Sequence, residues 1–600
     1  MLEEGVRKRI EAYKQGEKNP DFLKEFSSLL EEGDESVLYE RFYDDLHFGT
    51  AGLRGAIGAG SNRMNSFVIS RTTQGIASYL LKCFSKEAKA TALKAVIAYD
   101  ARNYSSEFAK TAALIFAANG IETYLFSSMR STPELSFAIR KLGCHTGVMI
   151  TASHNPPEYN GYKAYWQDGV QISTPHDMLI MQSIESVSEV HSIEESVAVQ
   201  KGLLKVVDAE LDDAYFEYLC TLLRECEQDG SENVNDKLSC CKKDLKIVYT
   251  PLHGVGAVFV ERAFELAGFA CFTVPEQREG DGSFPTVEYP NPEDPKALTL
   301  ALEYGLKRKA HLVMATDPDA DRFAVAVRNT EDGFSLLSGN QIGVLFLDYF
   351  CQQRFENVKR TAKNPAIIRS IVTTHMVDAM AKKHGVKIFE CLTGFKWICG
   401  LAEKIVAEGK GDYLFGFEES FGYNFAGTVG DKDGIAACQL FASLASYWQA
   451  KGMSVLERLD TLFQEYGVFE EKTLNKTYKG SSGLAIMDGI MQRVRASKIE
   501  EIAGEKVVWT RDVLQGVMKG CDGSEKTVDL PSSNVLQYFL QDGSVISLRP
   551  SGTEPKIKAY IVLQTKFSGD LKKDKAMAKQ KLKMIEDFLN LILEAQDGKL

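Results

Sequence analysis

The sequence predicts an α/β protein of about four domains, three of them related α/β units and the last α+β. Three observations carry this. The chain has 600 residues, and domains average about 150 residues. A pattern of β-rich apolar run, amphipathic helix ending near glycine, and second apolar run occurs three times. Beyond about residue 470 that pattern gives way to less regular alternation and a long closing helix.

The first copy runs KAVIAYD (94–100), SSEFAKTAALIFAANG (105–120), IETYLFS (121–127). The second runs LKIVYTP (245–251), VFVERAFELAG (258–268), FACFTVP (269–275). The third runs AIIRSIVTT (366–374), HMVDAMAKKHG (375–385), VKIFECL (386–392). Gly120, Gly268 and Gly385 stand where a helix C-terminus needs positive φ. Strand, helix, strand at this spacing is the βαβ unit, with parallel strands covered by helices. AMAKQKLKMIEDFLNLILEAQ (576–596) carries apolar residues at helical spacing. The polar stretches 186–202 and 224–244 read as solvated loop or exposed helix.

Composition limits the function. Lys+Arg number 70 and Asp+Glu 82, a net charge of −12. That argues against a nucleic-acid or anionic-membrane binder, which needs clustered positive charge. Apolar residues at 44% and charged residues at 25% are ordinary for a globular chain. Nine His and twelve Cys are scattered, with no CxxC or HExxH, so no zinc site is expected. Unpaired thiols point to a reducing, cytoplasmic setting. Met1 to Lys18 mixes charges without an apolar core, so no signal peptide is expected. No apolar run approaches a membrane span.

Four constellations carry chemistry. TASHNPPEYNGYK (151–163) follows the apolar GVMI. The two prolines bar helix, and Asn160-Gly161 favours a tight turn. This places Ser153 on an exposed loop with His154 beside it and Lys163 ten residues on: a hydroxyl able to carry a phosphoryl group, with two candidate proton carriers. DPDADR (317–322) follows HLVMAT. On extended backbone Asp317, Asp319 and Asp321 project to one side, and three crowded carboxylates call for a hard cation such as Mg²⁺. The EF-hand alternative fails, because Arg322 and Arg328 stand where that loop needs Gly and Glu. In GFEESFG (416–422), Glu418 and Ser420 alternate on one side and suit sugar hydroxyls; Asp431-Lys432-Asp433-Gly434 follows. In RPSGTEPK (549–556), Arg549, Ser551, Gly552 and Thr553, with Lys556 and Lys558, form a phosphate-binding nest. GTAGLRG (49–55) is a weaker version, with Arg54 as its cation.

These four motifs, in this order from Gly49 to Lys558, resemble the α-D-phosphohexomutase superfamily, and most closely its phosphoglucomutase/phosphopentomutase branch. The resemblance implies three α/β/α domains with mixed sheets plus a C-terminal α+β domain around a central cleft, divided at 1–205, 206–328, 329–460 and 461–600. It implies that Ser153 is phosphorylated, that Mg²⁺ is held by Asp317, Asp319, Asp321 and the seryl oxygen, and that His154 and Lys163 are acid/base candidates. Arg54 and Arg322 would surround the transferring group. Lys396 of TGFKW would orient substrate, Glu418 and Ser420 would bind sugar hydroxyls, and Arg549, Ser551, Gly552, Thr553 and Lys558 would clamp the non-reacting phosphate.

The implied reaction moves a phosphoryl group between C1 and C6 of glucose phosphate through a bisphosphate, with glucose 1,6-bisphosphate as activator. Sugar phosphates are the expected partners. Pentose phosphates come second, and mannose phosphate is disfavoured by Phe421-Gly422 where the mannose-type branch has Gly-His. A phosphatase and a non-catalytic sensor are the rival readings.

Overall fold

The computed structural model describes residues 2–49, 52–86, 92–227, 240–330, 332–356, 364–478, 483–551 and 556–594. Two compact units result: Met1–Leu337 with Ser420–Tyr447, and Ser338–Glu419 with Trp448–Leu600.

The first unit opens with helices α1 (Glu4–Gly16), α2 (Pro20–Glu32) and α3 (Glu35–Phe42). They dock on α4 (Ser66–Cys83) through Tyr13, whose ring meets Phe26, Phe42 and Phe67 edge-on at 5.3–5.5 Å. A six-stranded mixed sheet follows, formed by β1 (Gly52–Ala56), β2 (Lys94–Tyr99), β3 (Glu122–Phe126), β4 (Thr146–Ile150), β5 (Tyr159–Trp166) and β6 (Leu204–Val207) in the order β1-β5-β4-β2-β3-β6. Strands β2, β3, β4 and β6 run parallel, and β5 runs antiparallel to β4 and β1.

The reason is visible on β2. Ala95 and Ile97 enter one core, shared with α4 and α5 (Ser105–Ala118); Val96 and Ala98 enter the other, shared with Leu135 and Ile139 of α6 (Thr132–Leu142). A strand apolar on both faces is stable only between two helical layers.

The second sheet repeats the plan. β7 (Lys246–Thr250), β8 (Ala270–Thr273) and β9 (Leu312–Thr316) are parallel, and β10 (Phe323–Thr330) and β11 (Gly333–Leu336) extend it antiparallel, in the order β11-β10-β9-β7-β8. The second unit carries β12 (Pro365–Ser370), β13 (Lys387–Cys391) and β14 (Asp412–Glu418), parallel with β12 in the middle. β15 (Gly422–Phe425) belongs to the first unit's later segment.

All three expected βαβ copies are therefore present and parallel. Gly268 and Gly385 cap their helices in the left-handed region. The third copy's first strand stops at Ser370, four residues early. Ile371 still donates its amide to Cys391 O at 2.9 Å, and its side chain and that of Val372 fill an apolar cluster with Leu392 and Tyr560.

The second unit ends in an eight-stranded sheet of β16 (Val468–Thr477), β17 (Glu501–Ile502), β18 (Glu505–Asp512), β19 (Val517–Gly520), β20 (Glu525–Thr527), β21 (Leu536–Leu540), β22 (Val545–Pro550) and β23 (Lys556–Thr565). The expected closing helix, Leu571–Glu594, packs on β16 and β23. The expected divisions at 205, 328 and 460 each fall inside an element: β6, β10 and the helix Val455–Tyr466. Each of these elements mixes apolar and polar residues as its neighbours do, so no shift in composition marks a boundary there. Of the polar stretches, 195–200 is helical and 224–227 finishes the helix Ala209–Glu227; 228–239 lie outside the described residues. Among the described residues no helix is long and apolar enough to cross a membrane.

One buried acid ties the segment 420–447 into the first unit. Asp433 Oδ1 accepts from the Ala436 amide at 2.8 Å and from the Tyr215 hydroxyl at 2.9 Å. Its Oδ2 is buried without a partner. Burial pushes this carboxyl up to about 6. Its folded value thus lies above the unfolded one, so its contribution is full below about pH 4 and is lost as pH rises through about 6. Asp433→Asn keeps the acceptor and removes the titration. Relative to the parent, its melting temperature is expected to rise between pH 4.5 and 8, by an amount equivalent to about 2 kcal/mol. A difference that does not change with pH would contradict this account.

Candidate active site

Two loops of the first unit occupy the same place in their sheets. Each leaves a parallel strand at its C-terminal end and returns as an antiparallel neighbour: 151–158 between β4 and β5, and 317–322 between β9 and β10. The C-terminal edge of parallel strands is where open α/β sheets bind ligands.

The first loop is held by a residue the motif reading missed. Arg102 follows β2 and is 3% exposed. Its Nη1 donates to the carbonyls of Pro156 (2.8 Å) and Tyr159 (3.0 Å); its Nη2 donates to Ser153 O (2.7 Å) and to Asn155 O. Asp100 faces its Nε at 3.5 Å, and the Phe284 ring lies 4.9 Å from the guanidinium. This mounting lets Ser153 occupy φ +53°, a costly setting for a non-glycine residue. Ser153 is 3% exposed, not on an open surface loop, because the second loop covers it.

The second loop brings three buried aspartates within 4.8 Å of one another. Its shape differs from the expected extended run. Ala320 N bonds Asp317 O at 2.9 Å and Ala320 takes φ +55°, so the carboxylates converge across a turn rather than by alternation.

The donors are divided among the six oxygens. Asp317 Oδ1 accepts from the amides of Asp321 (3.1 Å) and Arg322 (2.9 Å), and its Oδ2 accepts from Ser153 Oγ at 2.7 Å. Asp319 Oδ2 accepts from Lys163 Nζ and Thr132 Oγ1, both at 2.6 Å. Asp321 Oδ2 meets Lys163 and Lys432, each at 3.0 Å. Asp319 Oδ1 and Asp321 Oδ1 are buried with no hydrogen-bond partner. Two orphaned carboxylate oxygens beside a seryl hydroxyl fit a hard divalent cation of the Mg²⁺ type.

The electrostatics agree. Burial, reinforced by Asp321 and Asp319, drives the Asp317 carboxyl far above its ordinary range. Burial acts the same way on Asp321, but Lys163, Lys432 and Arg322 more than offset it and hold that carboxyl well below the ordinary range. Burial lowers Lys163, yet Asp319 and Asp321 outweigh it and keep the ammonium charged. Burial, with Arg322 and Arg54 nearby, keeps His154 neutral; its Nδ1 lies 3.1 Å from Ser153 Oγ. Arg322 also pairs with Glu293, and exposed Arg54 donates to Asn155 Oδ1 at 3.1 Å. Ser153, His154, Lys163, Arg322 and the aspartates thus share one site, with Arg54 at its rim.

Two local expectations fail for steric reasons. Asn160-Gly161 is not a turn but lies inside β5. A Cβ at Gly161 would sit 2.5 Å from Thr151 O and 2.8 Å from Leu53 O, so the glycine serves close strand packing. Glu418 and Ser420 do not share an extended run, since β14 ends at Glu418 and Phe421 takes φ +63°.

In the second unit, Lys396 lies in the first turn of the helix Phe395–Ala407, 5.4 Å from the Trp397 ring. Arg549 on β22 faces Lys558 on β23. Ser551 N bonds Lys556 O at 2.7 Å. Gly552 and Thr553 lie outside the described residues. Burial raises the phenol of Tyr560 on the same hairpin, the charges of Glu419 and Glu418 add to the rise, and Arg549 opposes it through charge and a hydrogen bond.

The motif reading gave no role to Arg102, Thr132, Lys432 or Tyr560. Lys432 had a signal, since Asp-Lys-Asp-Gly stood out in the sequence. Arg102 had a fainter one, its place just past a parallel strand.

Two outcomes follow. Arg102→Lys keeps the charge but cannot reach four carbonyls, so turnover should fall about 10²-fold; kcat within twofold of the parent would refute the mounting role. Gly161→Ala should cost about 1–3 kcal/mol through overpacking, read as a lower melting temperature; an unchanged melt would refute the steric account.

The family models for phosphoglucomutase/phosphomannomutase α/β/α domains I, II and III match residues 45–191, 231–333 and 338–466. A phosphopentomutase of Homo sapiens is 37% identical over 574 residues, covering 91% of this chain and 89% of its own length. A phosphoglucomutase of Staphylococcus epidermidis is 35% identical, covering 86% and 90%. Among solved structures, the open form of pp63/parafusin (phosphoglucomutase) from Paramecium superposes with TM-score 0.67 at 19% identity, covering 93% of this chain and 97% of that one. A phosphoglucomutase/phosphomannomutase family protein from Burkholderia thailandensis gives 0.63 at 18%, covering 92% and 98%.

Proposed function

Because the chain belongs to the α-D-phosphohexomutase superfamily of intramolecular phosphotransferases, we propose that it moves a phosphoryl group between C1 and C6 of glucose phosphate by way of a phosphoserine at 153. One observation carries this reading: the Ser153 hydroxyl lies 2.7 Å from Asp317, beside two buried carboxylate oxygens, on Asp319 and Asp321, that have no hydrogen-bond partner. Mg²⁺ bound by Asp317, Asp319, Asp321 and the seryl oxygen would supply charge neutralisation to a phosphoryl in flight.

The chain's own groups do the rest. Phosphoseryl-153 gives its phosphoryl to the free hydroxyl of a sugar monophosphate. The P–Oγ bond breaks, a P–O bond to the sugar forms, the hydroxyl proton passes to the neutral His154, and the oxygen left on Ser153 takes up a proton, with the charged Lys163 as the candidate acid. The bisphosphate then turns over, its other P–O bond to the sugar breaks as that phosphoryl returns to Ser153 Oγ, the seryl proton is given up to His154, and the sugar oxygen left behind takes up a proton. Glucose 1,6-bisphosphate would prime the serine. Such transfer needs positioning and charge balance more than covalent chemistry. Arg102 supplies the first by fixing the loop, and Lys163, Lys432 and Arg322 supply the second, with Arg54 at the rim. The sugar is assigned to Lys396, Glu418 and Ser420, and its non-reacting phosphate to Arg549, Ser551, Gly552, Thr553 and Lys558. Small sugar phosphates are the partners proposed. Twelve cysteines outside any disulfide suit a reducing cytoplasm.

A second substrate, ribose or deoxyribose 1-phosphate going to 5-phosphate, is supported by the 37% identity to a phosphopentomutase. A panel of hexose and pentose phosphates, with and without bisphosphate, decides between them; faster turnover of a pentose than of glucose 1-phosphate would displace the glucose assignment. Ser153→Ala is expected to lose about 10³-fold or more in kcat, and the parent's Ser153 peptide should carry phosphate by mass spectrometry. Activity surviving in that variant would end the phosphoserine reading. Release of free phosphate in place of an isomerised sugar would indicate a phosphatase. Chelation should abolish turnover and Mg²⁺ restore it.

A further inference from the structure

Helix α6 enters the site by its N-terminus, through a residue no motif singled out. Ser131 caps the helix, its side chain accepting from the Glu134 amide. Thr132 follows, fully buried. It makes two bonds to a single partner: its amide donates to the Asp319 carbonyl at 2.9 Å, and its Oγ1 donates to Asp319 Oδ2 at 2.6 Å. The first fixes the backbone of Asp319; the second fixes its carboxylate. Lys163 Nζ occupies the same Oδ2 at 2.6 Å, so that oxygen is spoken for and Oδ1 is the one left without a partner.

The rest of α6 is held just as firmly. Ser136 Oγ donates to Gly169 O at 2.6 Å and accepts from Gly430 N at 2.7 Å, and Arg140 donates to Asp168 O and Gly427 O, each at 2.6 Å. The helix therefore cannot slide to follow a rotating Asp319. It ties together the aspartate loop, the turn after β5 that follows Lys163, and the segment 427–430 leading to Lys432.

We propose that Thr132 is a positioning residue for the divalent cation: it sets the rotamer of Asp319 so that Oδ1, rather than Oδ2, faces the ion. A lysine alone cannot do this. Lys163 Nζ is shared with Asp321 Oδ2 at 3.0 Å and would stay bonded to a carboxylate that has swivelled. The hydroxyl of Thr132 is carried on a buried helix terminus and would not. Outer-shell partners that orient a ligating carboxylate typically contribute 10–100-fold to metal affinity. The inference rests on the metal-site reading above.

The test measures binding, not turnover. Mn²⁺ binding to the dephosphorylated full-length protein is followed by electron paramagnetic resonance, for the parent, Thr132→Val, Thr132→Ser and Asp319→Ala. Valine keeps the shape and removes only the hydroxyl. The expected result is 10–100-fold weaker binding in T132V, parental binding in T132S, and none in D319A. T132S retains the hydroxyl at little steric cost, so it remains informative should the valine variant fold poorly. Equal affinity of T132V and parent would overturn the inference while leaving the metal site standing. T132S as weak as T132V would also overturn it, since the loss would then not follow the hydroxyl. A parent that binds no Mn²⁺ would overturn both.

Discussion

Three aspartates buried together, each no more than 1% exposed, are the constraint around which the first unit is arranged. Such a group costs far more than a folded chain can spare unless positive charge and hydrogen-bond donors surround it. Every nearby feature answers that demand. Lys163 arrives on β5, Lys432 on the segment before the helix Gly434–Ala450, and two loop amides and the Thr132 hydroxyl take up further oxygens. What these donors leave unmet is specific: one oxygen each on Asp319 and Asp321. The protein brings enough charge to hold the carboxylates together and leaves a place for one more cation.

The fold explains how residues so far apart in sequence arrive at one place. Serine loop and aspartate loop each join a parallel strand to an antiparallel one, in sheets of the same order. The turn Glu419–Phe421 takes the same position in chain order, between β14 and β15. Repetition of one βαβ plan thus delivers a loop from the same kind of strand end each time, and the chemistry differs only in what each loop carries. Ser153 and Ala320 both sit at positive φ, a sign that both loops are shaped by their surroundings rather than by local preference.

Much of this was legible beforehand. Apolar runs with helical spacing between them gave the three βαβ copies, since burial on both strand faces writes itself into composition. The serine and aspartate motifs fall on two loops that the fold brings into contact. What the sequence hid was conformation and long-range partnership. Asp317, Asp319 and Asp321 suggested a strand's alternation, yet a tight turn brings them together. Asn160-Gly161 carried the signature of a turn, but its glycine answers to the Thr151 and Leu53 carbonyls. Arg102 binds main-chain oxygens, which leave no side-chain pattern to read, and Thr132 meets Asp319 across 187 residues of chain.

The anchoring of the serine loop has a consequence for how such a site can diverge. Arg102 grips four peptide oxygens and no side chain between 153 and 159. Replacements at Asn155, Glu158 or Tyr159 that preserve the path of the main chain leave that grip intact. The mounting is indifferent to what it mounts, so natural drift can change the side chains at the tip of the loop without first loosening the foundation.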